Sequence, residues 1–482
     1  MSSERTGAME LVADIWLMIM GHLSTFDLVS LSQTCKTLFS YSQVHHVWRN
    51  ALLQHRFLPK TYPHLRTSST EVIRRQLITT ARLDTAYSQD SITPIRSYSF
   101  PIDFPGVFQG LRFLPGGRWM VLMFHSRTLN PARHSNLCLF RPQVLPDSDT
   151  QDSMSSSVSL QSEQCWLPLG SQDGPYKSSR GHDLLLLRTF VKNERTFGIC
   201  HLDTKTPSIK VTFMFHTSVF VRNYITAGDF ILYGWITDDR RHMVRIMKLN
   251  ENYTALEKDV TMEIDCPPGH DGKLGVHYDL RLSGKVPRIL LISTRLMAAY
   301  DIPDTNFIPE SSPQSLSPMW IHSPSKVSFG RILQVFREAS IVTLYEGKIR
   351  FIRPELDDAE PNSQITTAYN FSHTSKRPAV FDAQRIFWHL WLPGSLPAAV
   401  GSRNFIETSM LPLHCEECDV RRVLIDHKEL PTTVGYAVGV SSIVEDWDEL
   451  SGRLCVRYVR SRFPHDHSWR KMSCRIAVID IV

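Results

Sequence analysis

The sequence predicts an α+β multidomain protein: a small N-terminal α-helical module, then a mainly-β, propeller-like domain of about seven blades. Three observations carry that prediction. Up to about residue 90, apolar residues recur at the three-to-four spacing of one helix face. Beyond it, short runs of Val, Ile, Leu, Phe and Tyr alternate with turn residues, as in β-strands joined by tight connections. Strand pairs centred near residues 119, 187, 232, 291, 342, 388 and 438 then follow one another, at intervals close to the roughly 40 to 50 residues of a four-stranded propeller blade.

In the head, Leu11, Ile15, Met18, Ile19 and His22 share one face of a first helix, and Val12, Trp16, Met20 and Leu23 form a second apolar stripe. Ser24-Thr25-Phe26-Asp27 has the form of a capping box, which starts a new helix bearing Leu28 and Leu31. Val44, Val47, Trp48, Ala51 and Leu52 mark another helix. Val72, Ile73, Leu77, Ile78 and Ala81 mark a connecting helix entered at Ser68 to Thr70. A module this small and this apolar hides only part of its surface within itself. The remainder is expected to meet either the β-rich body or another protein.

In the body, Phe113 leads through Pro115-Gly116-Gly117 into Trp119 to Phe124. Leu184 to Val191 returns as Thr196 to Cys200, and Ile341 to Tyr345 returns after Glu346-Gly347 as Lys348 to Ile352. The chain ends on the apolar run Ile476-Ala477-Val478-Ile479. Left as a free edge, that run would invite aggregation. It is therefore expected to close the ring by pairing with an early strand after Pro94. Three polar segments read as disordered insertions, near 147–164, 303–328 and 357–378. The first has seven serines and four acids without a single Lys or Arg. The expected division is a flexible N-terminus at 1–8, the helical domain at 9–55, a helical linker at 56–93 and the β domain at 94–482.

Composition narrows the function. With 482 residues, 42% of them hydrophobic, and 24 Phe, 14 Tyr and 10 Trp, the chain builds a substantial core. No apolar run approaches the roughly 20 residues that span a bilayer. Glu4, Glu10 and Asp14 interrupt the N-terminus, so no secretory signal is expected. The nine cysteines are then expected to be reduced thiols of the cytoplasm and/or nucleus. The net charge is +5, and residues 1–85 hold nine Lys/Arg against six Asp/Glu, so the body is nearly neutral. Neither nucleic acid nor a membrane is expected as partner.

Signatures of catalysis are missing. The sequence has no G-x-x-x-x-G-K-[ST], G-x-G-x-x-G, G-x-S-x-G or H-E-x-x-H. Cys415 and Cys418 form one C-x-x-C beside His414, with His427 downstream, and His465 and His467 flank Asp466. A zinc framework takes a second such pair, so no metal, cofactor or catalytic residue is assigned. The basic run Arg453, Arg457, Arg460, Arg462, Arg470, Lys471 and Arg475 is either a receiver of acidic groups or a solvated face.

The head resembles an F-box. That family runs L-P-x-E-I-L, an apolar Ile, a Leu closing the first helix, D-L-x-x-L-S-x-x-C-K and a later V-W-R. Here stand Leu11, Asp14, Ile15, Ile19, Leu23, then Asp27-Leu28, Leu31-Ser32, Cys35-Lys36 and Val47-Trp48-Arg49, with Val12 in place of the family's proline. The body looks like the β-rich C-terminal regions of large fungal F-box families. The resemblance implies a non-catalytic substrate receptor of a Skp–cullin–F-box ubiquitin ligase. Its partners would be a Skp-family adaptor, through it cullin, and a protein substrate held by the β domain. The contacts it carries over to the adaptor are Leu11, Val12, Ile15, Ile19, Leu28, Leu31, Cys35, Lys36 and Trp48. A scaffold that binds the adaptor without directing degradation, or an enzyme with a site no motif reveals, is the alternative.

Overall fold

A computed structural model describes residues 12–55, 58, 62–89, 91–102, 106–126, 135–141, 158–162, 167–168, 174–191, 194–219, 221, 223–265, 277–281, 288–292, 297–302, 314–322, 331–336, 340–345, 348–354, 363–370, 377–381, 385–389, 404–410, 421–427, 440–448, 450–460 and 474–482. The head is four short helices: α1 (Ala13–Met20), α2 (Thr25–Ser32), α3 (Lys36–Ser42) and α4 (His45–Gln54). A 3-10 turn (Pro63–Thr67) then leads into the 18-residue α5 (Thr70–Tyr87). Val12 takes the N-cap of α1 at φ −60°, the angle a proline ring would fix. The capping box starts α2 in modified form. The Asp27 amide donates to Ser24 Oγ at 3.2 Å, while the Ser24 hydroxyl donates to the Asp27 carboxylate at 2.6 Å. That carboxylate thus braces the capping hydroxyl.

Met20, Leu28, Leu38, Val47, Trp48 and Leu52 make the head's core, and Ile73 and Leu77 from α5 complete it. Trp48 is fully buried, its indole N–H donating to the Ser42 carbonyl at 2.6 Å and the Arg74 guanidinium lying 5.6 Å from its ring. The other half of α5 belongs to the body. Leu83 and Tyr87 pack with Ile92, Trp447, Leu454, Val456, Ala477, Ile479 and Ile481. One helix therefore spans two cores.

Seven sheets make up the body among the described residues. In chain order they run through 106–162, 167–217, 223–264, 277–322, 331–370 and 377–427, the sixth adding Ser91–Ile92 in parallel beside Arg421–His427, and the seventh combines 440–480 with Arg96–Ile102. Each expected strand-pair centre falls in or just before its successive sheet. The first strands of sheets three and four, six and seven, and seven and one touch one another, which puts the first strand of a sheet on the inside of a propeller-like ring. Apolar clusters fill the spaces between sheets one and two, two and three, three and four, and seven and one.

Closure follows the expected route. Arg96–Ile102 pairs antiparallel with Cys474–Asp480, from Arg96 opposite Asp480 to Ile102 opposite Cys474. The C-terminal strand has Arg453–Arg460 on its other side, so its apolar run sits mid-sheet and has no free edge.

The insertions are corrected. Val158–Ser162, Gln314–Leu316, Trp320–His322, Ser363–Asn370 and part of Arg377–Phe381 are strands, although their segments read as disordered. Val158–Ser162, Trp320–His322 and Ser363–Asn370 are the last strands of their sheets, and Gln314–Leu316 adds in parallel beyond the end of sheet three. There the strands are held by backbone pairing, which polar composition does not betray. The remainder of those segments lies outside the described residues.

Candidate functional site

The head exposes what a folded domain ordinarily hides. Val12, Ile15, Met18, Ile19, Phe26, Phe39, Val44 and Leu53 are all exposed in residues 12–53, against Ile95, Met214, Met319 and Ile321 among the described residues of the body. The periodicity of α1 explains how. Trp16, Leu17 and Met20 turn toward the head's core, which leaves Val12, Ile15, Met18 and Ile19 outward, from 37% to 67% accessible. α3 packs against both α1 and α2, and these carry Phe39 and Phe26 at nearly half exposure. Full burial of such a side chain from water is worth roughly 1.5 to 3 kcal/mol, and covering the third to two-thirds still exposed here gains the corresponding share. A partner that covered six of them would gain an interface without needing a charged contact.

The nine expected adaptor contacts separate under this geometry. Val12, Ile15 and Ile19 lie on the exposed stripe, and Lys36 is exposed at the start of α3. Leu31 and Cys35 are half-buried against the head's own core. Leu28 and Trp48 are wholly internal. Those two hold the helices in place and offer a partner no side-chain surface, because the same apolar character that suits an interface also suits the core of a four-helix module. Leu11 lies outside the described residues. Met18, Phe26 and Phe39 are absent from the expected set, though a signal exists: each is a large apolar residue off the stripe that builds the core.

Elsewhere, polar groups are used internally. Arg453 pairs with Asp480 at 2.8 Å and Arg457 with Glu445 at 2.5 Å, so this part of the basic run already has acidic partners from its own chain. On sheets two and three, His201 Nε2 lies 3.3 Å from His182 Nδ1, and the Tyr253 hydroxyl hydrogen-bonds Ser178 Oγ at 2.8 Å. Burial and the neighbouring His182 lower the pKa of His201. No three His, Cys, Asp or Glu side chains gather as metal ligands among the described residues. Cys415, Cys418, His465 and His467 lie outside them. Among the described residues, no helix is long and apolar enough to cross a membrane.

Comparison with known proteins accounts for the head. Residues 9–58 match the F-box domain family, and the chain carries an F-box. No curated protein matches the chain. Solved structures similar to it include the β-propeller domain of Cps50 (Swd1) from Myceliophteria thermophila, with 10% identity, a TM-score of 0.39, and coverage of 79% of this chain and 98% of that one. A putative 6-phosphogluconolactonase from Bacteroides uniformis is similar at 11% identity and a TM-score of 0.35, covering 70% and 92% of the two chains.

Proposed function

We propose that this F-box protein is the substrate receptor of a Skp–cullin–F-box ubiquitin ligase, binding a Skp-family adaptor through the outward face of α1 to α3 and a protein substrate through the ring. The observation that carries the reading is the apolar face itself, Val12, Ile15, Met18, Ile19, Phe26 and Phe39, exposed within the F-box. The chain performs no chemistry in this scheme. It holds a substrate beside the ligase's catalytic subunits and so raises the effective concentration of the substrate's lysines. Support for the scheme comes from α5, which contributes to the cores of both head and ring and so packs the two together. Cytoplasm and nucleus are the compartments where such a complex works.

The test is adaptor capture by the full chain carrying Ile15→Asp and Ile19→Asp. Both side chains are exposed, so the head should fold, while two charges in an apolar interface cost several kcal/mol. Capture should be abolished with the helical circular dichroism unchanged. Capture at the wild-type level by the folded variant would overturn the assignment of this face.

A further inference from the structure

We infer that the turn joining the first two strands of sheet seven, together with Asp448 before it, couples the head to the closing seam of the ring, so that gripping the head tightens the ring. The seam between sheets seven and one brings together residues more than 330 positions apart; an apolar cluster fills it, and beside the turn it is cross-linked by hydrogen bonds. The Asp446 carboxylate accepts from the Phe113 amide at 2.6 Å, and the Asp448 carboxylate from the Gly116 amide at 3.2 Å. In return, Arg112 donates to the Glu445 carbonyl at 2.6 Å and Arg453 to the Gly117 carbonyl at 2.8 Å. Hydrogen bonds of this kind weaken steeply with misalignment, so the hydrogen-bonded part of the seam depends on where the turn sits.

The head holds that turn from the other side. Leu450, at its tip, is buried in the head's apolar cluster with Ile73 and Leu77, and the Gln76 side-chain amide donates to the Leu450 carbonyl. Gly452, at φ +68°, is pressed on by Leu83 of the same helix, where an added Cβ would come within 2.9 Å of the leucine methyl. Within the turn, Asp448 also accepts from the Ser451 amide at 2.9 Å, and Ser451 in turn abuts the buried Gly117 of sheet one. Asp448, Leu450, Ser451 and Gly452 therefore satisfy both neighbours at once. Coupling between sites needs an element whose equilibrium both sites bias. This turn, docked with the seam shut or displaced with the seam open, is that element.

Hydrogen exchange on the full chain tests it. Gln76→Leu removes the donor to Leu450 and keeps the bulk of the side chain, and Leu450→Ala removes the apolar anchor. Either should raise exchange at the Phe113 and Gly116 amides of sheet one at least five-fold, the lower end of typical coupling. Conversely, Asp448→Asn should raise exchange in α5 near Gln76. Combining Gln76→Leu with Asp448→Asn should give less than the product of the two single effects. Leu38→Ala, in the same apolar cluster but on α3, serves as control and should leave the seam amides protected while the head remains folded. Seam exchange at the wild-type rate in Gln76→Leu, or a double variant showing the simple product, would overturn the coupling.

Discussion

In α1, Ile15, Met18 and Ile19 face solvent from a helix of eight residues, whereas in the last strand of the ring Ile476, Ala477, Val478 and Ile479 are all completely buried. The two segments are about equally apolar and meet opposite fates. The strand is covered on both edges and both faces by its own chain, because sheet seven has partners on each side of it. The helix has a core to serve on one side only. What separates an exposed apolar face from a core is thus the amount of chain available to cover a segment, and composition alone does not reveal it.

The largest effect expected from that contrast comes from deleting Arg475 to Val482. Ile476, Val478, Ile479 and Ile481 lose burial worth roughly 1.5 to 3 kcal/mol each, together comparable with the whole stability of a domain. The truncated chain should be insoluble or lack a cooperative thermal transition. A soluble truncation with an unchanged midpoint would break the contrast at its buried end.

Within the head the same contrast is sharpened by two single changes. Trp48→Ala should destabilise the head by about 3 to 5 kcal/mol, since it empties a buried site and orphans the Ser42 carbonyl. Phe39→Ala, at an exposed position of similar chemistry, should change stability by no more than about 0.5 kcal/mol. Denaturant titration followed by helical circular dichroism reads both, and equal losses would contradict the division into core and interface.

Acid and base should also distinguish the connector from the ring. Burial, reinforced by the positive charge of Lys177, lowers the pKa of His64 in the 3-10 turn to about 4. The unfolded chain then binds the extra proton first, so this contribution is present above about pH 6.5 and is lost as pH falls toward 4. Burial raises Asp446 and Asp448 at the seam to about 6. Their contribution has the opposite sense, full below about pH 4 and lost as pH rises through 6. Each shift corresponds to about 3 kcal/mol at most. Comparing wild type with His64→Phe, and separately with Asp446→Asn, by thermal midpoint from pH 4 to 8 should give difference curves of opposite slope. Parallel curves would remove the assigned causes.

Much of this architecture was legible in the sequence, for local reasons. Pro115-Gly116-Gly117 and Glu346-Gly347 announced their hairpins, since turns demand particular residues. The terminal Ile476 to Ile479 run announced ring closure, since such an edge cannot stay open. The strand at Val158–Ser162 was illegible because pairing at the end of a sheet asks little of side chains. The exposed apolar set of the head was half legible. Ile15 and Ile19 share a stripe that helical periodicity displays, but Leu28 and Trp48 differ from them only in what packs around them, which is tertiary information. Likewise Arg453 and Arg457 read as a basic run because Asp480 and Glu445 reach them only through strand pairing.

The central claim is that the head presents its apolar face to an adaptor while the ring keeps its own apolar residues to itself. Hydrogen exchange of the full chain with and without a Skp-family adaptor tests it most directly. New protection is expected across α1 to α3, including peptides that carry Ile15, Met18, Ile19, Phe26 and Phe39. Protection confined to the sheets of the ring, with α1 exchanging as in the free chain, would contradict it.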